Sequence, residues 1–280
     1  MSRIEITPFP GDKRIAVTTS WDDGRVYDRR VVAAFNEWGL KGTFNLNSGK
    51  LTRTGQPAPE DSTGYLDASE VREVFQGHEV AIHAATHPWL TRLDASQVVA
   101  EVLDDRRALE DLVGYPVRGM AYPFGCYDKH VITALRALGI VYARTVEARD
   151  PCFPPEEPLA WPATAHWMRS APDPVHVRFE KLYQKKPYGS VFYVWGHSFE
   201  FPNNNDWAGL EREFKPLAGK PDVWYCTNIQ LFDYEDARRR LVLAANQRSA
   251  YNPSAIAVTV KIGEKMIDIP PGRPVQLPQA

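Results

Sequence analysis

Three short segments of the chain carry carboxylates and imidazoles in patterns that suit metal chemistry. Asp22 and Asp23 are adjacent, His83 and His87 are four residues apart, and His197 stands further along the chain. Each segment closes or follows a run that is predicted to be a strand. In parallel α/β folds, active residues lie at the carboxyl ends of the strands. We therefore expect the three segments to meet at one edge of a sheet.

The two histidines and one aspartate form a candidate set of metal ligands. A separation of four residues places His83 and His87 on one side of a helical turn, where both imidazoles reach one ion. A catalytic ion typically takes three protein ligands and leaves one position for water, and Asp23 is the natural third ligand. Alone, a pair of histidines is weak evidence and Asp23-Gly24 is ordinary turn chemistry. Together, the segments predict a metal centre.

The elements that position these residues alternate between strand-like and helix-like segments. This succession indicates a parallel sheet, either open or closed into a barrel. The proline-rich residues 151–161 are predicted to be a surface loop. Strands are predicted at 14–19, 42–47, 79–82, 118–122, 140–143, 190–195 and 223–226, helices at 26–40, 68–75, 95–112, 129–138, 174–184, 207–217 and 234–245, and short tail strands at 255–261, 265–269 and 274–277.

The bulk composition narrows the class of protein. The chain has 280 residues and a net charge of −2, which gives no electrostatic reason to expect nucleic acid or an anionic membrane as a partner. No run approaches a membrane span, and the start has no apolar core of signal-peptide length, so the expected location is the cytoplasm. The three cysteines predict neither a metal site nor a disulfide framework. A homo-oligomer is left open.

Four motifs give the chain a specific resemblance. Over roughly residues 14–234 it resembles the polysaccharide deacetylase family, the NodB-type carbohydrate esterases. The matching motifs are Trp21-Asp22-Asp23-Gly24, residues 77–88, Ala121-Tyr122-Pro123-Phe124-Gly125 in part, and Trp195-Gly196-His197. By this resemblance the fold is an irregular (β/α)7 barrel, with residues 1–245 as the catalytic barrel and residues 246–280 as a short C-terminal β extension.

The resemblance also implies a role for each candidate residue. Asp23, His83 and His87 would hold one divalent ion, with zinc as the first choice and cobalt or nickel as alternatives. Asp22 would be the general base, and a water molecule on the ion would be the nucleophile. His197 would be the general acid that protonates the departing amine.

Two further residues are expected to shape the substrate pocket. The backbone N–H near Tyr122 would help the ion to stabilise the oxyanion. Trp195 is predicted to form a wall of the pocket, since indole faces stack on the apolar faces of sugars. His166 is an alternative lining residue, whereas His78 is predicted to be a packing or turn residue.

The chain departs from the family pattern at two kinds of position. Ala84 stands where the family usually has Ser or Thr, and Thr86 is the nearby residue whose hydroxyl would replace the missing one. Ala121 stands where the third motif usually carries an Arg that orients the catalytic Asp. Residues 140–145 contain no carboxylate that would hold such an Arg.

Arg144 is the candidate for a relocated orienting arginine. It stands at the end of a predicted strand, from which it would reach Asp22 from the other side. The alternative is a surface arginine that pairs with Glu147 or Asp150.

The motifs predict a hydrolase that removes N-acetyl groups from an amino sugar or from an oligo- or polysaccharide. Two other functions remain open. One is an allantoinase-like hydrolase of cyclic or small amides in the same wider family. The other is a non-catalytic carbohydrate-binding protein with a degenerate site, which the missing Arg–Asp pair prompts. The retained base, metal ligands and acid argue against the last, because binding a sugar requires no such set.

Overall fold

The computed structural model describes residues 4–59, 62–149, 153–169 and 172–278. Its strands are β1 (Ile4–Ile6), β2 (Ile15–Asp22), β3 (Thr43–Leu46), β4 (Glu79–Ile82), β5 (Gly119–Ala121), β6 (Tyr142–Ala148), β7 (Trp161–Ala163), β8 (Ala165–His166), β9 (Ser190–His197), β10 (Val223–Tyr225), β11 (Val242–Leu243), β12 (Ser249–Tyr251), β13 (Val258–Ile262), β14 (Lys265–Ile269) and β15 (Pro274–Gln276).

The α-helices pack mostly outside the sheet. They are α1 (Asp28–Trp38), α2 (Val71–Val74), α3 (Ala95–Val113), α4 (Lys129–Ala137), α5 (Val175–Gln184), α6 (Glu200–Asn203), α7 (Ala208–Phe214) and α8 (Asn228–Arg240). The predicted helix at 234–245 is wrong in its bounds, since α8 begins at Asn228. Its start carried a sequence signal, because the Thr227 hydroxyl caps the helix and Gln230 completes a capping box.

The parallel sheet closes into a barrel. Its strands follow the order β7-β6-β5-β4-β3-β2-β9-β8, and only Thr164 separates β7 from β8. One segment therefore pairs with β6 at its start and with β9 at its end. The Thr164 N–H donates to the Tyr193 carbonyl at 2.8 Å, and the Thr164 hydroxyl accepts from the Tyr193 N–H at 3.0 Å. When β7 and β8 are counted as one strand, β2 to β9 give seven strands, which form the expected irregular (β/α)7 barrel.

The closing segment corrects the prediction for this region. Residues 151–161 are predicted to be a loop and 162–166 carry no predicted strand, yet β7 begins at Trp161. Pro162 lowers the local strand propensity because proline has no N–H to donate. Pairing with two neighbouring strands determines the structure here, and this pairing exists only in the closed barrel.

Alternating side chains along the strands face two different environments. On the outer face, residues such as Val17, Phe44 and Ile82 belong to the core between sheet and helices. On the inner face, aromatic rings such as Tyr142 and Tyr193 form a second cluster inside the barrel. This period of two is the ordinary consequence of strand geometry.

A buried carboxylate closes the amino-terminal end of the barrel. Glu79, at the start of β4, accepts hydrogen bonds from the Thr43 hydroxyl at 2.8 Å and the Tyr142 hydroxyl at 2.7 Å. It also accepts from the Ile229 N–H at 2.8 Å, at the beginning of α8. Burial raises the pKa of Glu79 to about 7, and the hydrogen bonds oppose that rise. The opposite end of the barrel is left for the candidate site.

The tail forms two small antiparallel sheets, as its predicted strands indicated. One consists of β1, β13 and β14, and the other of β11, β12 and β15. The Tyr234 hydroxyl on α8 accepts from the Thr259 N–H at 3.2 Å, which connects the tail to the barrel. The predicted boundary at residue 245 places Ile4–Ile6 in the barrel, but these residues pair with β13 in the tail. No local signal marks such a pairing, because the partner lies some 250 residues away.

Candidate active site

The predicted site residues meet at the carboxyl end of the barrel. Asp22 is the last residue of β2, His83 directly follows β4, and His197 is the last residue of β9. β2 pairs in parallel with both β3 and β9, and β3 pairs in parallel with β4. The ends of these strands therefore lie at the same level, and the three segments face one another.

Asp23, His83 and His87 bring one ligand atom each into a small volume. Nε2 of His83 and Nε2 of His87 each lie 3.6 Å from Oδ1 of Asp23. All three ligand atoms lie within 4.8 Å of one another. Asp23 Oδ1 is buried and has no hydrogen-bond partner among the described residues. These atoms surround a space that one cation would fill.

The loop that carries the two histidines is not the predicted helical turn. The backbone φ is 58° at Ala84 and 63° at His87, in the left-handed region that residues with a side chain rarely occupy. The Asn47 carboxamide holds this loop by donating to the carbonyls of His83 and Ala84, both at 2.6 Å. Backbone strain of this kind persists where the surrounding structure enforces it, often at functional sites.

The protonation of the two histidines suits metal binding. Nδ1 of His83 lies 2.7 Å from the Ala121 carbonyl, which only accepts, so Nδ1 carries the proton and Nε2 presents a lone pair towards Asp23. Burial lowers the pKa of His83, and burial together with His83 and Lys50 lowers the pKa of His87 to about 4. Two neutral imidazoles and one carboxylate fit a divalent ion such as zinc.

Asp22 lies beside the ligands and is held by a guanidinium and an amide. Arg144 donates to Oδ2 of Asp22, and the Asn45 side chain donates to Oδ1 at 2.9 Å. Burial raises the pKa of Asp22, but the guanidinium of Arg144 and the neighbouring imidazoles of His83 and His197 outweigh this effect and lower the pKa to about 2. The carboxylate is therefore ionised at any physiological pH.

Arg144 is a buried residue, so the surface alternative is wrong. It is opposite Ala121 in the register of β5 and β6. Its side chain reaches Asp22 from one strand beyond the position at which the family pattern has its arginine. The guanidinium carbon lies 4.1 Å from the centre of the Trp195 ring. Trp195 is 7% exposed, so it supports Arg144 and presents little open surface to a substrate.

His197 lies on the other side of Asp22. Its Nε2 is 3.9 Å from Oδ2 of Asp22, and its Nδ1 is 3.3 Å from Oε1 of Glu200. Burial lowers the pKa of His197, but Glu200 and Asp22 outweigh it, and the net pKa is raised above the ordinary value. The sequence suggested Glu200 only as part of a polar rim for substrate hydroxyls and did not predict its contact with His197, because His197 ends β9 and Glu200 begins α6.

Glu200 also gathers a second group of possible ligands. The Trp167 indole N–H donates to its Oε2 at 2.6 Å, and Nε2 of His166 lies 3.2 Å from its Oε1. Nδ1 of His166 accepts from the Met168 N–H at 3.2 Å, so in a neutral ring Nε2 carries the proton and points at Glu200. This tautomer leaves no lone pair for an ion at Nε2. The group is better described as two imidazoles beside one carboxylate. Nδ1 of His197 is hydrogen-bonded to Glu200, whereas Nε2 of His166 has no hydrogen-bond partner among the described residues.

Tyr122 does not offer the predicted oxyanion donor. Its N–H donates to the Arg144 carbonyl at 3.1 Å, and its hydroxyl donates to the Leu159 carbonyl at 2.7 Å. The next N–H along the chain belongs to Phe124, because Pro123 has none. The Phe124 ring lies 4.5 Å from the His87 ring, so this residue borders the ligand set.

The hydroxyl that Ala84 lacks is not supplied by Thr86. The Thr86 hydroxyl donates to Oε1 of Glu101 at 2.6 Å, on the exposed side of the loop. A carboxylate that sequence reasoning missed supports the loop instead, because Oδ2 of the buried Asp105 accepts from the His83 N–H at 2.9 Å. His78 accepts from the Gly42 N–H at 3.1 Å and is a packing residue, as predicted.

The fold and the site together define a (β/α) barrel with a candidate metal-hydrolase centre. Residues 10–143 match the family model described as polysaccharide deacetylase. The matched segment is just under half of the chain. Over this segment, the match supports the family resemblance recognised from the motifs. Within the described residues, no helix is long and apolar enough to span a bilayer.

Individual relatives match shorter parts of the chain. A chitooligosaccharide deacetylase from Bradyrhizobium sp. is 35% identical over 81 residues, which are 28% of this chain and 37% of that protein. The peptidoglycan-N-acetylglucosamine deacetylase PgdA from Listeria monocytogenes is 35% identical over 60 residues, 21% of this chain and 13% of that protein. The chain thus spans about a third or less of the length of these relatives.

Solved structures share the fold at low sequence identity. A putative polysaccharide deacetylase from Mycobacterium smegmatis has a TM-score of 0.60 at 17% identity, over 85% of this chain and 96% of that one. The peptidoglycan deacetylase PdaC from Bacillus subtilis has a TM-score of 0.50 at 14% identity, over 82% and 95%. These likenesses support the barrel assignment.

Proposed function

We propose that the protein is a metal-dependent hydrolase that removes N-acetyl groups from an amino sugar or from an oligo- or polysaccharide. One observation carries this proposal. The ionised Asp22 lies between the three-ligand set of Asp23, His83 and His87 on one side and His197 on the other. A base, a cation site and an acid within a few ångströms of one another suit the hydrolysis of an amide.

The surroundings of Asp22 and His197 shift their pKa values in opposite directions. The pKa of Asp22 is held low by Arg144, so its carboxylate accepts a proton, whereas the pKa of His197 is raised by Glu200 and Asp22, so its imidazolium gives one. Neighbouring groups whose environments separate their pKa values are the usual sign of a base and an acid.

The proposed reaction assigns one step to each group. Asp23, His83 and His87 would hold a divalent ion, which would supply a Lewis acid for the acetamide carbonyl and lower the pKa of water. Asp22 accepts a proton from the attacking water as its oxygen bonds to the acetyl carbon. The C–N bond then breaks, and His197 donates its Nε2 proton to the departing nitrogen. The immediate products are acetic acid and the free amine, and they are released as acetate and the ammonium ion after the acid transfers its proton to the amine. The proton held by Asp22 passes through solvent to His197, which restores both groups and balances the protons.

The N–H of Phe124 is the proposed oxyanion donor in place of Tyr122. Phe124 has a φ of 58°, which turns the chain sharply next to the ligand loop. An N–H directed at the oxygen that becomes negative contributes a few kcal/mol of transition-state stabilisation in comparable enzymes, typically about 3.

The test is release of acetate by protein loaded with zinc or cobalt. N-acetylated monosaccharides and oligosaccharides serve as substrates, and protein stripped with a chelator and then reloaded is the control. We expect release that disappears on chelation and returns with metal. Asp22→Asn should abolish release, whereas Asp94→Asn should not, because Asp94 only caps α3 and asparagine also caps well.

Two outcomes would favour the other functions. If metal-loaded protein releases no acetate from any sugar, cyclic and small amides become the substrates to test. If the protein binds sugars but no metal, the non-catalytic function is favoured and the proposed hydrolysis is wrong.

A further inference from the structure

Two cations flank one tyrosine at the mouth of the site. The guanidinium carbon of Arg25 lies 4.5 Å from the centre of the Tyr65 ring, and Nζ of Lys50 lies 5.7 Å from it. We refer to Arg25, Lys50 and Tyr65 as the basic rim. None of the three has a role in the proposed hydrolysis.

The backbone holds Arg25 and Tyr65 in place. Arg25 and Tyr65 form an isolated antiparallel bridge. The Leu66 N–H donates to the Gly24 carbonyl at 3.0 Å, and the Val26 N–H donates to the Gly64 carbonyl at 3.2 Å. Arg25 itself donates to the Thr63 carbonyl at 2.5 Å, while its buried Nε has no partner among the described residues.

Lys50 is anchored to the loop that carries the histidines. The Gly49 N–H donates to the Ala85 carbonyl at 3.0 Å, and the Lys50 N–H donates to the Asn47 carbonyl at 2.9 Å. A Cβ at Gly49 would lie 2.7 Å from the Ala85 oxygen, so only glycine permits this approach. Lys50 therefore follows a segment that is packed directly on the ligand loop.

The basic rim borders the site on two sides. The Arg25 guanidinium carbon is 5.7 Å from the centre of the Phe199 ring, and that ring is 4.8 Å from the His197 ring. On the other side, Lys50 directly follows Gly49, which is hydrogen-bonded to Ala85 in the loop between His83 and His87. A substrate that placed its amide between Asp22 and His197 would have its neighbouring substituents close to these two cations.

The other charges of the site do not balance the two positive charges of the basic rim. Within the described residues, neither Arg25 nor Lys50 forms an ion pair, whereas Arg29 one helical turn away forms a bidentate pair with Glu70. The carboxylates of Asp22, Asp23 and Glu200 are matched by Arg144 and one divalent ion. The two positive charges of the basic rim are then left without an opposite charge at the mouth of the site. The positive potential that they create attracts an anion.

We propose that the substrate carries an anionic group close to its N-acetyl group and that Arg25 and Lys50 bind this group. The shared chemistry is a carboxylate or a phosphate on an N-acetylated sugar. A guanidinium forms charge-assisted bonds with either group in a fixed geometry, and an ammonium adds a compact charge. This assignment rests on the proposed deacetylation and adds the charge of the substrate to it.

The experiment compares three substrates of similar size with the metal-loaded protein. They are N-acetylglucosamine, which is neutral, N-acetylmuramic acid, which has a carboxylate on the substituent of C3, and N-acetylglucosamine 1-phosphate, which has a phosphate on C1, next to the carbon that bears the N-acetyl group. We expect at least one anionic substrate to have a KM about tenfold below that of the neutral sugar, which corresponds to one charge-assisted contact. The preferred substrate distinguishes carboxylate from phosphate.

Rim variants separate charge recognition from catalysis. Arg25→Met and Lys50→Met should each raise the KM for the anionic substrate about tenfold, leaving kcat and the KM for the neutral sugar within twofold. Arg53→Met removes an exposed arginine from the loop that carries Lys50, and it should change neither kcat nor the KM of either substrate. Added salt should raise the KM of the anionic substrate alone.

Binding to zinc-loaded Asp22→Asn protein, which should not turn over, gives a readout that does not depend on activity. Calorimetry should show tighter binding of the preferred anionic sugar than of N-acetylglucosamine, and Lys50→Met should remove the difference. Equal affinity for neutral and anionic sugars, or equal effects of the rim variants on both, would overturn the proposal. If no sugar releases acetate but the anionic sugar still binds through Lys50, the deacetylation is wrong and the rim is supported.

Discussion

The guanidinium of Arg144 and the carboxylate of Asp22 form an ion pair across the barrel. The two residues are 122 positions apart and lie on β6 and β2, with β3, β4 and β5 between them in the sheet. Their side chains are 0% and 3% exposed. A buried charge without a partner is strongly destabilising, so each residue makes the burial of the other tolerable. The pair also fixes the orientation of the candidate base.

The ion pair predicts a specific pattern of stability. Arg144→Met should lower the free energy of unfolding by about 3–5 kcal/mol, because it leaves Asp22 charged and buried. The double variant with Asp22→Asn should regain most of that loss and remain inactive. Arg118→Met breaks a half-exposed pair with Asp233 and should cost about 1 kcal/mol or less. Denaturant unfolding measures all four proteins, and a double variant no more stable than Arg144→Met would contradict the account.

The ligand geometry predicts one ion per chain. His83→Ala and His87→Ala should each reduce the bound zinc to well below one equivalent, as measured by elemental analysis after dialysis. His166→Ala should leave the stoichiometry unchanged, because Nε2 of His166 carries its proton towards Glu200. Two ions in the wild-type protein and one in His166→Ala would show that the tautomer assignment is wrong.

Glu200 predicts a shift in the pH profile of activity. In the proposed mechanism His197 is the acid, so activity should fall as the pH rises through its pKa, which Glu200 helps to raise above the ordinary value of 6.5. Glu200→Gln removes the negative charge, and the alkaline limb of the kcat profile should move to lower pH. Glu213→Gln is the matched control, because Glu213 pairs with the half-exposed His176 away from the site. An unchanged alkaline limb in Glu200→Gln would rule out this positioning role.

Glu79 predicts how stability depends on pH. Burial raises its pKa from 4.5 to about 7 in the folded protein. Between these values the folded state keeps a proton that the unfolded state releases, so stability from this group is complete below pH 4.5 and falls as the pH rises towards 7. The glutamine in Glu79→Gln does not ionise, so the stability of this variant should not show the same fall between pH 4.5 and 7.

The expected difference is measurable by denaturant unfolding at several pH values. The free energy of unfolding of Glu79→Gln relative to wild type should increase by up to about 3 kcal/mol between pH 4.5 and 7. Glu211→Gln, at an exposed position on α7, should show no such trend. A difference that stays constant with pH would mean that Glu79 ionises normally.

The sequence by itself determined the features that depend on short spacings. Adjacent carboxylates after a strand, two histidines four residues apart and alternating apolar segments are local patterns, and they predicted the barrel and the ligand set. Prediction failed where pairing partners are distant. β7 and β8 are strands because they pair with β6 and β9, and β1 is a strand because it pairs with β13.

The tertiary structure decided how the side chains of the site are used. Ala121 and Arg144 stand opposite each other only because β5 and β6 pair in that register, and no spacing in the chain reveals it. The same holds for Glu200 between His197 and His166, and for Tyr122, whose N–H is taken by the neighbouring strand. Residue types set the available chemistry, whereas the partner of each polar group depends on contacts that form only when the barrel closes.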